Sequence, residues 1–189
     1  MERRTLDKLI SSTGLVVAVL LLAAARGLFY AHGFIHNEVH DQLAAQKIML
    51  PAADEAGFTA LPAADQAAVR PYAGTQVTTG AQAEVFADHY IAVHLRAIGG
   101  GKTYSELSAA SQANPSDTAL ADKVNTVFKG ETLRGVLLNA YAFDTMATVA
   151  WYAALGAVAG ALILLVLATL GFRHAARAVG TKQPRKRTK

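Results

Sequence analysis

Three histidines, His32, His36 and His40, recur every four residues, and on a helix that spacing puts them on one face. A His-x-x-x-His pair holds zinc or copper once a further ligand joins it, and His89 or His94 is available to complete the set. Glu38 and Asp41 flank the face rather than join it. The same residues also read as exposed imidazoles that respond to pH. His32, His36 and His40 are therefore the candidate metal ligands, and His174 stands apart in the C-terminal basic stretch. Other chemistry finds less support. The chain has no cysteine, which excludes a disulfide framework, a thiolate zinc site and a cysteine nucleophile. Ser105, Ser108 and Ser111 lack the glycines of a nucleophile elbow. Gly99-Gly100-Gly101-Lys102-Thr103 resembles the end of a phosphate loop, but Arg96 stands where its first glycine belongs, and the segment reads as a helix stop. We expect no enzyme, no catalytic residues and no cofactor.

The elements that carry these residues begin with two apolar segments. Met146 to Leu170 is 25 residues without a charge, and about 20 suffice to cross a bilayer. Trp151, Tyr152 and Phe172 stand near its ends, where interfacial aromatics gather. Leu9 to Tyr30 is the second candidate, with an unbroken apolar run of 11 residues from Leu15 to Ala25. Arg26 follows that run, about 6 Å of helical rise before Tyr30, within reach of a snorkelling side chain. A cleaved signal peptide is the competing reading, since Arg3, Arg4 and Lys8 precede the apolar core and Ala-Ala-Ala closes it. The apolar pattern continues as helix past Ala25, so an uncleaved anchor is expected.

Basic residues set the orientation. Arg3, Arg4 and Lys8 precede the first span, and Arg173, Arg177, Lys182, Arg185, Lys186, Arg187 and Lys189 follow the second. The stretch between, His32 to Asp144, holds seven basic and twelve acidic residues. Both termini are then cytoplasmic and the middle lies outside. The basic tail adjoins a membrane helix, so its expected partner is anionic lipid headgroups and not nucleic acid. The expected division is a cytoplasmic N-terminus (1–8), transmembrane helix 1 (9–31), an extracytoplasmic domain (32–144), transmembrane helix 2 (145–172) and a basic cytoplasmic tail (173–189). The fold class is an all-α membrane protein whose two spans extend into a small extracytoplasmic helical domain. The expected location is the cell membrane, with two passes.

Within the outer segment, Ile35, Val39 and Leu43 continue the first helix to about Ile48, and Pro51 ends it. Pro51 to Gly80 reads as loop with a helical turn at Ala63–Val69. Gln82 to Ile98 is a helix with Phe86, Tyr90, Val93 and Ala97 as its apolar stripe, stopped by Gly99-Gly100-Gly101. Tyr104 to Ser111 forms a helical turn, and Ser116 or Asp117 caps a last helix carrying Leu120, Val124, Val127, Phe128, Leu133, Leu137 and Tyr141. Gly130 and Gly135 weaken that helix. In the second span, Gly156 and Gly160 form Gly-x-x-x-Gly beside Ala153, Ala157 and Ala161. Such residues let helices approach closely, against the first span, a second copy or another membrane protein.

The ordered segments QLAAQKI, YAGTQV, TTGAQAEVFADHYIAVHL, GGGKTYSEL and ETLRGVLLNAYAF resemble a family of small actinobacterial two-span membrane proteins. Members often carry the label aromatic ring-opening dioxygenase. The resemblance runs from about Gln42 to Phe143 and implies architecture and lineage, with Ala53 to Ala68 as an insertion. The label implies non-haem iron held by two histidines and a carboxylate, a set these residues do not supply. The expectation is a non-catalytic accessory or scaffold subunit of a membrane assembly, with a metal- or pH-responsive protein as the alternative.

Overall fold

The computed structural model describes residues 3–177, with side chains from Thr5 onward. The side chains of Arg3 and Arg4, and the tail residues Lys182, Arg185, Lys186, Arg187 and Lys189, lie outside the described residues. The described chain is helical: α1 (Arg3–Gln46), α2 (Ala56–Thr59), α3 (Ala63–Val69), α4 (Gly80–Val85), α5 (Ala92–Gly99), α6 (Tyr104–Ala113) and α7 (Thr118–Arg177). A 3-10 turn, Arg70–Tyr72, follows α3, and a π-helical turn, Phe86–Ile91, joins α4 to α5. α1 and α7 are both long and apolar enough to cross a membrane. Each contributes to two compact units, one of residues 3–32 with 148–177 and one of residues 33–147.

In the first unit the two helices run antiparallel. Gly14 faces Ala168, Leu21 faces Gly160, and Ser11 faces Gly171. The buried residues recur every seven positions: Ser11, Ala18 and Ala25 on α1, and Ala154, Ala161, Ala168 and Ala175 on α7. A seven-residue repeat winds a helix pair left-handed and keeps one seam facing the partner. Small residues along it bring the backbones close. Large apolar residues such as Val16, Leu20, Ile163 and Val166 point outward instead. Only part of the expected packing face meets the first span. Ala161 is buried and Ala157 and Gly160 are partly so, but Ala153 and Gly156 are exposed. The Gly-x-x-x-Gly row drifts around the helix, whereas the seven-residue alanine row stays in phase along the pair.

In the second unit α1 ends at Gln46, because Lys47 adopts a left-handed conformation (φ 53°) before Pro51 is reached. The Gln76 side chain donates to the Ala44 carbonyl at 2.7 Å and closes that helix end. Met49 pairs antiparallel with Gln76. The Ala63–Val69 helix has its expected bounds, and α2 precedes it. Thr79 and Gln82 form a reciprocal capping box at the start of α4.

The π turn shifts the apolar phase. Val85, Phe86, Ala87, Ile91, Leu95 and Gly99 are buried, whereas of the expected stripe Tyr90 and Val93 are half-buried against the core and Ala97 is exposed. A π turn inserts one residue into the 3.6-residue repeat, so every later side chain rotates by about a quarter turn. Gly100 and Gly101 then stop α5 at φ 62° and 79°. The Gly101 N–H donates to Arg96 and the Gly100 N–H to Ala97, which is the Schellman arrangement. On α7, Val127 and Leu137 are buried, while Phe128, Leu133 and Tyr141 are exposed. Gly130 has a packing role: a Cβ there would overlap the Leu95 side chain. The core gathers Val39 and Leu43 from α1, Phe58, Leu61, Val69 and Val77 from the intervening chain, and Leu137 from α7.

Thr103 starts α6, accepting from the Glu106 N–H while the Glu106 carboxylate accepts from the Thr103 N–H at 2.8 Å. Those bonds, the backbone one first and the Thr103 hydroxyl second, hold the Glu106 carboxyl below its ordinary 4.5. A carboxyl lowered by folding stabilises the cap above its unfolded pKa and loses that contribution as pH falls through the folded value. In an NMR titration the Thr103 amide signal should therefore move with a midpoint below 4.5. Glu106→Gln should abolish the movement. A midpoint at or above 4.5 would count against the cap.

Candidate functional site

The three histidines share α1 but meet different surroundings. His32 lies in the first unit with its ring 5.1 Å from the Trp151 ring. His36 lies in the second unit, Nδ1 at 2.9 Å from Asp144 Oδ1. His40 is exposed. His89 and His94, the candidates to complete a metal set, face elsewhere. His89 Nδ1 is 2.8 Å from Asp65 Oδ1, and His94 Nδ1–H donates to the Tyr90 carbonyl at 2.8 Å. Among the described residues, no group of three or more His, Asp or Glu is placed to hold a metal ion.

The structure builds carboxylate contacts that local sequence did not reveal. Asp144, on α7, places Oδ1 at His36 and accepts the Gly80 N–H on Oδ2 at 3.2 Å. One carboxylate thus ties α1, α4 and α7 together in the second unit. It sits at the first turn of α4, where the exposed N–H groups favour negative charge. Gly80 is required for that approach, since a Cβ would lie 2.5 Å from the Asp144 Cβ. A solitary carboxylate in a long apolar stretch of sequence was the signal that something must receive it.

A second cluster pins the π turn. Arg134 on α7 donates from Nε to the Ala87 carbonyl at 3.1 Å, from NH2 to Asp88 at 2.7 Å and from NH1 to Glu131 at 2.8 Å. Burial pushes this guanidinium's pKa down, and the hydrogen bonds to Asp88 and Glu131 outweigh it and raise the pKa above the ordinary value. The i, i+3 spacing of Glu131 and Arg134 was readable in sequence, but their reach to Asp88 was not.

No family model, curated protein or solved structure matches this chain.

Between Phe34–Gln46 of α1 and Val136–Phe143 of α7 runs a groove of about 350 Å³. Ile35, Val39, Leu43 and Ala140 form its apolar lining, and Glu38, Gln42 and Asn139 supply its polar groups. Gln42 donates to Glu38 at 2.6 Å, so those two groups satisfy each other. Phe34, Val136 and Phe143 are each more than half exposed along it, at 58%, 51% and 54%. Together they form an exposed apolar patch along the groove.

Proposed function

We propose that the chain is an integral membrane protein of the cell envelope. Its two spans hold both termini in the cytoplasm, its helical unit stands outside, and it serves as a non-catalytic accessory or scaffold subunit of a membrane assembly. The lipid bilayer is its immediate surroundings. A membrane protein, or a second copy, is its binding partner. The resemblance to small two-span actinobacterial membrane proteins fits this reading.

The groove with exposed Phe34, Val136 and Phe143 is the observation that carries the proposal. Apolar side chains gathered on a unit that has its own buried core are not needed to fold it, so a partner accounts for them better. The contacts elsewhere support the same view. His36–Asp144 joins α1 to α7, the groove's two walls, and Arg134–Asp88 anchors α7 to the π turn.

Purification from native membranes in mild detergent, followed by mass spectrometry, tests the proposal. A stoichiometric membrane partner is expected with the unaltered chain. Val136→Asp with Phe143→Ser should remove it at least tenfold, while helix content stays unchanged. Retention of the partner by that double variant, or a chain that purifies alone as a monomer, would overturn the scaffold reading.

A further inference from the structure

We propose that Arg26 and the open groove around it bind the phosphodiester of a phospholipid, with the lipid's chains lying along α1 toward the membrane interior. The inference rests on the membrane-spanning reading above, and uses only residues of the first unit. Arg26 is the sole charged residue between Leu9 and Tyr30. It is exposed, and among the described residues no carboxylate pairs with it. A charge inside a span normally faces the bundle or a partner, because hydrocarbon leaves it unsatisfied. Here the seam between the helices is occupied by Ala25 and its seven-residue neighbours, so Arg26 is directed away from it.

The surroundings fit a lipid better than a soluble ligand. Arg26 lies in a broad, open groove of about 940 Å³ whose walls include Leu22, Gly27, Tyr30 and Val158. Gly27 leaves the wall clear, since nothing lies within 4 Å of the position a Cβ would take. An open groove of this kind does not enclose a small molecule, but it accepts one already lying against the helix. The depth is also right. Arg26 stands about 6 Å below Tyr30 by helical rise, a distance a snorkelling arginine side chain can span. A guanidinium pairs two N–H groups with two phosphate oxygens, which a single ammonium cannot do. Leu22, one helical turn deeper and 40% exposed, offers apolar surface to the chains below the phosphate.

Native mass spectrometry of the full chain in detergent, titrated with phosphatidylglycerol, tests the assignment. Diacylglycerol, which has the chains without the phosphate, is the control. We expect one phosphatidylglycerol per chain, bound at least about tenfold more tightly than diacylglycerol. Arg26→Gln should remove that preference, and Arg26→Lys should restore part of it. Equal binding of the two lipids by the unaltered chain would overturn the assignment without any variant. An undiminished preference in Arg26→Gln would do the same, as would capture of a protein carboxylate by a cross-linker placed at position 26. A carbonate wash of the source membranes separates this failure from the broader one. A chain released by the wash defeats the membrane reading itself, and a chain that stays in the membrane but binds lipid without Arg26 defeats only this inference.

Discussion

Phe58→Ala should cost about 3–5 kcal/mol of the second unit's stability, a large share of what a domain of this size possesses. Phe58 is 2% exposed and belongs to the core with Leu61, Val69 and Val77. The Arg70 guanidinium lies 5.2 Å from its ring centroid, so the truncation also removes a cation–π contact and opens the cavity beside a charge. α2, which carries Phe58, has four residues and no side-chain cap, so nothing local refills the space. The experiment is urea unfolding of the full chain in detergent, read by pulse proteolysis of the second unit. The midpoint should fall by more than about 1 M. A change below about 1 kcal/mol would mean that Ala53–Ala68 is an appendage to a core complete without it.

The family resemblance implies that Ala53–Ala68 is an insertion, and the segment shows no apolar periodicity. Yet it delivers two of the core's side chains, Phe58 and Leu61. A one-turn helix is too short to show a period, so its buried residue cannot be told from a chance aromatic. Features with local causes were legible: the Asp117 cap, whose carboxylate accepts the Leu120 N–H at 2.9 Å, the Gly100–Gly101 stop, and the bounds of α3. The two long apolar helices were legible too, the second from run length and the first from an apolar pattern that continues past Ala25. The π turn was not, because an i→i+5 pattern has no residue signature and Arg134, 47 positions away, helps to hold its Ala87 carbonyl. Nor was the His36–Asp144 contact, whose partners stand 108 residues apart. The histidine spacing pointed to a shared helix face, which α1 provides. It gave no information on what each ring would meet across that face.

The alanine seam gives the sharpest contrast between what sequence suggests and what packing uses. Ala161→Leu should drive the two long helices apart, whereas Gly156→Leu should leave them paired. Ala161 is fully buried between helices whose approach is set by small residues, so three added carbons have no space to enter. Overpacking of this kind costs about 1–3 kcal/mol and more where backbones must separate. Gly156 is exposed and has nothing within 4 Å of a built Cβ outside its own helix backbone, so a leucine there points away from the seam and improves the helix. A chain without cysteine makes the measurement clean. Gly14→Cys and Ala168→Cys place sulfurs on facing positions, since a Cβ built at Gly14 lies 4.0 Å from that of Ala168, within the range a disulfide spans. Oxidation should join the pair efficiently in the parent and in Gly156→Leu, and several-fold less in Ala161→Leu. The thermal midpoint in detergent should fall only in the last. The reverse pattern would return the packing face to Gly156 and Gly160. A Gly156→Leu chain that keeps its disulfide but changes assembly size would assign that outward row to a second molecule, because the seven-residue seam already serves the pairing within the chain.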